Sequence, residues 1–175
     1  MDGNRLVYLD ETGAKTNMTR PYARSRKGQR AVQYVPHGHW NTTTLVAAIT
    51  VEGPIAPMVL NGPMDREAFE AYVEQCLVHH LPPNAIVVMD NLSSHKSGFI
   101  TKAIEQAGAQ LRYLPPYSPD YNPIEPMWSK VKNDIKTHEP REKEKLDSAI
   151  AQALEKVTPE DARGFFKHCF VRMQN

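Results

Sequence analysis

Residues 84–91 read Asn-Ala-Ile-Val-Val-Met-Asp-Asn, and this short stretch decides the kind of fold that the sequence predicts. The five residues before Asp90 are all apolar, with no polar residue alternating between them. Such a run is typical of a strand that helices cover on both faces. Strands of this kind occur in sheets that alternate with helices along the chain. The stretch therefore predicts an α/β fold in which Asp90 ends a central strand.

Four further strands are predicted from short β-rich runs, at residues 5–9, 44–51, 55–60 and 110–114. The two middle runs flank Gly53 and Pro54, which are turn-forming residues, so these runs should pair as an antiparallel hairpin. Pro57 cannot donate a ladder hydrogen bond, so the second of them belongs at a sheet edge. The crossover from this hairpin should place the central strand beside the first strand.

Helices are predicted where apolar residues recur three and four positions apart, at residues 65–80, before Gly108, and at 123–137, 142–157 and 159–170. Asp65 is the expected N-cap of the first helix. Gly108 should stop the second. The order of elements therefore predicts a mixed five-stranded sheet flanked by helices, without internal repeats.

The composition excludes several classes of protein. With 175 residues, 41% hydrophobic and 23% charged, the chain is typical of one soluble globular domain. Its apolar runs are far shorter than the roughly 18 residues of a membrane span, and its first residues form no signal peptide. Cys76 and Cys169 lie far apart, which argues against a disulfide framework or a structural zinc site. We expect a cytoplasmic protein with one hydrophobic core.

Positive charge is concentrated in one part of the chain. Residues 12–51 contain no acidic residue and six basic ones: Lys15, Arg20, Arg24, Arg26, Lys27 and Arg30. The rest of the chain carries 15 basic and 20 acidic residues. A solvated basic loop is one explanation, but solvated surfaces usually mix both signs. The asymmetry favours a face that contacts a polyanion.

Three acidic residues share one predicted position in the fold. Asp10 and Asp90 each end a strand, and Glu125 begins a helix just after a third strand. Reactive groups collect at the carboxyl ends of strands in open α/β sheets, and neighbouring strands lie ~4.8 Å apart. Carboxylates this close repel one another unless a hard cation such as Mg²⁺ or Mn²⁺ compensates them. The three residues therefore form a candidate metal site.

Each acid taken singly has an ordinary structural explanation. Asp10 could be a solvated residue at the end of its strand, and Asp90 could cap the turn that follows it. Glu125 could belong to a capping box with Asn122 as N-cap and Pro123 at the first helical position. It is the coincidence of all three at one edge of one sheet that favours a functional site.

Three blocks of sequence carry a family resemblance. They are Leu-Asp-Glu-Thr at residues 9–12, Val-Met-Asp-Asn-Leu-Ser-Ser-His-Lys at 88–96, and Leu-Pro-Pro-Tyr-Ser-Pro-Asp-Tyr-Asn-Pro-Ile-Glu at 114–125. They resemble the signature blocks of bacterial insertion-sequence DDE transposases in the mariner-like superfamily. The 34 residues between Asp90 and Glu125 match the family's usual gap. The resemblance covers about residues 5–170.

The resemblance implies a ribonuclease H-like fold with a two-metal site. Asp10, Asp90 and Glu125 would hold two Mg²⁺ or Mn²⁺ ions. The implied activity is cleavage of DNA at transposon ends, followed by strand transfer into target DNA at TA dinucleotides. The implied partners are terminal inverted repeats, target DNA and at least one further copy of the chain. A protein with this activity is expected in the cytoplasm, associated with the nucleoid.

Weaker candidates lie near these blocks. Asn91 and His95 are auxiliary candidates, because His95 follows Asp90 by five residues and could approach the scissile phosphate or a metal-bound water. A hydrogen-bonded structural histidine is an equally open explanation. His37 and His39 suit packing or phosphate contacts better than zinc binding, and Trp40 could stack on an unpaired base.

The chain departs from the family in one respect. Only nine residues precede Asp10, so we expect no helix-turn-helix region of the kind found in full-length relatives. We expect one DDE catalytic domain at residues 1–175 with a basic insertion at about 12–43, and a separate helix-turn-helix subunit or upstream reading frame as a partner. The alternative is a truncated or repurposed domain that binds DNA without catalysis. An aspartate-nucleophile phosphatase is excluded because Thr12 stands where a second Asp is needed.

Overall fold

The strand that organises the sheet is the first one. The computed structural model describes residues 3–32, 34, 42–92 and 95–173. Its strands are β1 Leu6–Ala14, β2 Thr43–Thr50, β3 Gly53–Asn61, β4 Ile86–Met89 and β5 Gln110–Tyr113. They lie in the order β3-β2-β1-β4-β5, so that β1 is central. β1 is antiparallel to β2 and parallel to β4. The predicted mixed five-stranded sheet is confirmed, as is the placement of β4 beside β1.

The prediction that β1 ends at Asp10 was wrong. β1 continues to Ala14 because β2 supplies antiparallel partners along this whole length, from Tyr8 opposite Ile49 to Ala14 opposite Thr43. The parallel pairing with β4 stops earlier, at Leu9 opposite Met89. Asp10 is therefore not the last residue of β1, but the first one beyond the parallel ladder.

The outer strand β3 carries the predicted edge proline. Pro57 lies where the register between β2 and β3 shifts, between Val46 and Ala48, and Ala56 beside it has a positive φ of 49°. An irregularity of this kind tolerates a residue that cannot donate a hydrogen bond. The Ala56 carbonyl is not lost, because it accepts a hydrogen bond from the Tyr72 hydroxyl at 2.8 Å. The edge position predicted for this strand is confirmed.

In the described part of the chain five α-helices cover the sheet: α1 Arg66–Gln75, α2 Gly98–Gln106, α3 Ile124–His138, α4 Lys143–Glu155 and α5 Pro159–Met173. Asp65 caps α1 as predicted and accepts a hydrogen bond from the Ala68 N–H at 2.8 Å. The first helix is shorter than predicted, because Cys76 leaves the helical conformation at φ −122°. The residues Leu77–His80 form a 3-10 turn instead, which keeps Leu77 fully buried.

The core has two layers, one on each face of the sheet. Val7 and Leu9 pack with α1 and α2, whereas Leu6 and Tyr8 pack with α3, α4 and α5. Side chains alternate between the two faces along a strand. This alternation places Asp10 on the side of α3 to α5, and Glu11 on the side of α1 and α2. The two neighbouring carboxylates therefore leave β1 in opposite directions.

Candidate active site

A cleft of about 330 Å³ opens at the edge of the sheet where β4 ends. Asp10, Asp90 and Glu125 all line it, together with the loops that follow β4 and β5. Asn91 lines the same cleft, and so does the fully exposed Tyr117 at its rim. The structure therefore brings three acids together that are up to 115 positions apart in the sequence.

The sheet positions the first two acids. Leu9 and Met89 form the last parallel pair of β1 and β4. Asp10 follows Leu9 within β1, and Asp90 follows Met89 just beyond the end of β4. Neighbouring strands lie about 4.8 Å apart, so both carboxylates start from adjacent points of the backbone. Only β1 continues beyond this point, and the end of β4 leaves the space that becomes the cleft.

The start of α3 positions the third acid, but not through the predicted capping box. That box was wrong because the Asn122 N–H, which the Glu125 carboxylate would have to reach, already donates to the Pro119 carbonyl at 3.0 Å. The buried Asn122 side chain instead accepts from the Ile124 N–H at 3.3 Å. Glu125 is the second helical residue, and its carboxylate is free of a capping role. Pro126 lies in the first turn of α3, where backbone N–H groups have no acceptor within the helix. The absence of an N–H in proline therefore costs no helical hydrogen bond there.

Asp10 has the most strongly perturbed acid–base behaviour of the three acids. Burial raises its pKa, and the negative charges of Glu11, Glu125 and Asp90 raise it further, to about 7. A hydrogen bond from the Glu11 N–H to Asp10 Oδ1, at 2.8 Å, opposes this rise in part. The site therefore favours a neutral acid at this position until positive charge compensates its neighbours.

Asp90 behaves in the opposite way. Burial acts to raise its pKa, but a hydrogen bond from His95, the His95 charge and the Leu92 N–H together lower it. Its Oδ1 accepts from His95 Nδ1 at 2.5 Å and from the Leu92 N–H at 3.2 Å. Asp90 is thus held as a carboxylate beside a partner that keeps it charged.

His95 is almost fully buried, with 1% of its surface exposed. Its Nε2 lies 3.2 Å from Glu11 Oε2, within ion-pair distance, although the two atoms are not aligned as a hydrogen bond. Burial acts to lower its pKa, but Asp90 and Glu11 outweigh burial and raise the pKa to about 9. Both ring nitrogens thus face carboxylates, which favours the hydrogen-bonded histidine over one that reaches a phosphate.

Glu11 was not singled out from the sequence, because β1 was expected to end one residue earlier, at Asp10. Once β1 is known to continue, Glu11 belongs to the face of Val7 and Leu9, where an isolated carboxylate needs a partner. The signal for the role of Glu11 was therefore the alternation of apolar residues along β1, continued from Leu9 to the next position on the same face.

The six predicted DNA-contacting residues lie outside the cleft. We call residues 15–32 the basic arm; it contains Lys15, Arg20, Arg24, Arg26, Lys27 and Arg30, all exposed. Within the described ranges none of the six forms an ion pair with an acid. Arg141 holds the root of the arm by donating to the carbonyls of Thr16 and Met18 at 3.1 and 3.3 Å. His37, His39 and Trp40 lie outside the described residues.

The three carboxylates fit a hard divalent cation by donor type, since Mg²⁺ and Mn²⁺ prefer oxygen ligands. The mutual repulsion that raises the Asp10 pKa is also what a cation would relieve. In the described part of the chain, however, no three His, Cys, Asp or Glu side chains are already gathered tightly enough to hold a metal ion. Among the same residues no helix is long and apolar enough to cross a membrane.

Comparisons with known proteins agree with this fold. The structure is similar to the Mos1 strand transfer complex, with a TM-score of 0.79 and 18% identity over 98% of this chain and 53% of that chain. It is similar to the Mos1 paired-end complex with left transposon end, with a TM-score of 0.76 and 16% identity over 99% and 54% of the two chains. The Mos1 mariner transposase catalytic domain aligns at a TM-score of 0.71 and 15% identity, over 98% of this chain and 79% of that chain.

These likenesses confirm the predicted ribonuclease H-like fold, although this chain spans only about half the length of the Mos1 chains in the complexes. No curated protein matches the sequence. Residues 5–147 match the family described as DDE superfamily endonuclease, which covers most of the chain. The chain therefore belongs to the DDE superfamily endonucleases.

Proposed function

We propose that this protein is the catalytic domain of a DDE transposase from the bacterial insertion-sequence branch of the mariner-like superfamily. In this proposal it cleaves DNA at transposon ends and transfers the freed 3′ ends into target DNA, at TA dinucleotides. The observation that carries the proposal is the meeting of Asp10, Asp90 and Glu125 in one cleft, from three separate elements of a DDE family member.

Asp10, Asp90 and Glu125 would hold two Mg²⁺ or Mn²⁺ ions. When bound, such ions lower the pKa of the attacking water or 3′-hydroxyl and stabilise the leaving oxygen. Asp10 would give up its proton on binding, since its raised pKa comes from burial and from uncompensated neighbours. Mos1 paired-end complexes have been solved with Mn and with Mg, which supports the choice of metals.

The basic arm would contact the DNA backbone. Its exposed cations have no acidic partners among the described residues, and they lie on the connection that leaves β1 four residues after Asp10. Phosphate contacts of this kind position DNA without reading its sequence. Mos1 structures contain paired transposon ends, so we propose terminal inverted repeats as the substrate and a dimer or larger assembly as the active form. A separate helix-turn-helix subunit would supply sequence recognition.

A nicking assay on supercoiled plasmid tests the proposal. The chain should nick DNA in Mg²⁺ and in Mn²⁺, and it should not nick DNA in excess chelator. The matched control is Glu142→Gln, which removes an exposed carboxylate that pairs with Lys145 on α4, far from the cleft. This variant should nick at the unaltered rate. Binding of DNA without nicking in either metal would overturn catalysis and favour a repurposed DNA-binding domain.

A further inference from the structure

His95 lies between two carboxylates, that of Glu11 on β1 and that of Asp90 just after β4. We propose that His95 is a positioning residue, which fixes the Asp90 carboxylate through Nδ1 and ties it to Glu11 through Nε2. The inference rests on the proposed function, in which Asp90 is a metal ligand. It assigns to His95 a role in metal binding without direct contact with the metal, and Glu11 is the carboxylate that the other ring nitrogen faces.

The surroundings of His95 hold its ring in one orientation. The ring stacks on Phe69 of α1, with the ring centroids 4.2 Å apart and the planes 20° apart. The Tyr113 hydroxyl of β5 donates to the His95 carbonyl at 3.1 Å. The His95 N–H donates to the Leu92 carbonyl at 3.2 Å. Ring and backbone are thus fixed from α1, β5 and the preceding turn, independently of the carboxylates.

Asp90 needs such a partner because it stands outside the regular sheet. It follows the last residue of β4, and its side chain is 35% exposed. Both of its protein hydrogen bonds, from His95 and from the Leu92 N–H, fall on Oδ1. Within the described residues Oδ2 has no hydrogen bond to protein. When hydrogen bonds hold one oxygen of a carboxylate, the other oxygen keeps a fixed orientation in which it can bind a metal ion.

A purely structural role for His95 would not need its two nitrogens. The stacking on Phe69 requires only a flat ring, and an apolar ring would avoid the cost of burying polar atoms in this layer. Instead, each nitrogen faces a different carboxylate, one from β1 and one from the turn after β4. The arrangement resembles the outer-shell hydrogen bonds that orient ligands at metal sites.

The two nitrogens can be separated by substitution. The side-chain nitrogen of Asn corresponds to His Nδ1 and that of Gln corresponds to His Nε2, so His95→Asn keeps the donor to Asp90 and His95→Gln keeps the donor to Glu11. We would titrate each folded variant with Mn²⁺ and follow free Mn²⁺ by electron paramagnetic resonance. His95→Gln should bind Mn²⁺ about tenfold more weakly, the lower end of typical outer-shell effects, whereas His95→Asn should stay within about threefold of the unaltered chain.

The control separates positioning from stability. Ile104→Val trims a fully buried residue of the same core layer and leaves both carboxylates untouched. It should lower the unfolding temperature without changing Mn²⁺ affinity. Equal affinities in the Asn and Gln variants, whether both are unchanged or both are reduced, would overturn this inference and leave the proposed function standing. If the unaltered chain binds no Mn²⁺, the proposed function fails, and the inference fails with it.

A second measurement does not depend on whether a His95 variant folds. The short bond from Nδ1 to Asp90 should give a far-downfield imidazole proton resonance in the metal-free chain, assigned by its loss in Asp90→Asn. Mg²⁺ should shift this resonance as the Asp90 charge is shared with the ion. A resonance that Mg²⁺ leaves in place while Mg²⁺ binds would overturn the inference.

Discussion

The cleft and the basic arm differ in how much of the fold holds them. Asp10, Asp90 and Glu125 are attached to two paired strands and to the first turn of a helix, with buried residues behind them. The arm has an irregular backbone with exposed side chains, and its root is held by Arg141. The cleft is suited to chemistry that needs fixed distances, whereas the arm is suited to attraction between charges, which tolerates variation in position.

The largest expected effect comes from the carboxylates of the cleft. Asp10→Asn, Asp90→Asn and Glu125→Gln should each abolish nicking, by about a thousandfold or more, because each removes a charge proposed to bind metal. Thermal stability should stay level or rise slightly in Asp10→Asn and Glu125→Gln, since repulsion is relieved, whereas Asp90→Asn should lower it because the buried His95 loses its charged partner. Nicking in Mg²⁺ and unfolding temperature would be measured on the same samples. Nicking above background by any variant would remove that residue from the site.

The next largest effect is expected on DNA affinity when the cations of the basic arm are removed. If most of its six cations each neutralise a phosphate, the logarithm of DNA affinity should fall with the logarithm of salt at a slope near roughly −5. Replacing Arg24, Arg26 and Lys27 together with Ala should make that slope shallower by about 2 to 3, which is on the order of a hundredfold weaker binding at about 0.1 M salt. Binding would be measured by fluorescence anisotropy across a salt series.

The arm experiment has a simple control. Lys102→Ala removes an exposed cation on α2, outside the arm, and should leave the salt slope unchanged. The triple arm variant should also melt at the unaltered temperature, because its three side chains are exposed. An unchanged slope in the triple variant would end the claim that the arm contacts DNA.

A smaller effect is expected on stability as the pH changes. The Asp10 pKa is raised from 3.8 to about 7 in the folded chain. The unfolded chain therefore loses this proton first. Stability from neutral Asp10 is complete below about pH 4 and is lost as the pH rises through about 7, by on the order of 2 kcal/mol.

The comparison of the unaltered chain with Asp10→Asn isolates this effect. Denaturant unfolding in chelator should show that the free energy of unfolding of the variant rises relative to the unaltered chain between pH 4 and pH 8. Glu142→Gln should show no such change. The same difference in free energy at both pH values would contradict the raised pKa.

The smallest effect tests how the arm is attached. Arg141 donates to both carbonyls through Nη1 and pairs with Glu139 through Nη2, and the single ammonium of Arg141→Lys cannot keep all three contacts in the same geometry. Stability should fall by about 1 kcal/mol. The salt slope of DNA binding should stay the same, because the six cations remain. A changed slope would mean that Arg141 itself contacts phosphate.

Local patterns in the sequence predicted the central sheet well. The apolar run before Asp90 and the turn at Gly53 have short-range physical causes, and the structure agrees with both. The true end of β1 could not be predicted in this way, because it depends on partners in β2 that lie 29 or more residues away. Glu11 was missed for the same reason.

The site was predictable in its residues, but less so in its contacts. The positions of Asp10, Asp90 and Glu125 after three strands indicated a shared cleft. The bond between His95 and Asp90 joins residues only five positions apart in the chain, whereas the approach of His95 to Glu11 depends on how β1 and α1 pack. The first turn of α3 was misread because the Pro119 carbonyl competes for the Asn122 N–H. No sequence rule for caps includes that competition.

The pairing of Ala14 with Thr43 closes the sheet at the base of the β1 to β2 connection. The 28 residues between them enter and leave at this one fixed point. The entropy of loop closure grows slowly with length, by about 0.6 kcal/mol for each doubling. Insertions and deletions in the connection therefore cost little stability. An insertion or deletion of one residue within β1 would instead turn Asp10 to the wrong face of the sheet. If the arm contacts DNA as proposed, a change in the length of the connection would alter that contact and leave the cleft unchanged.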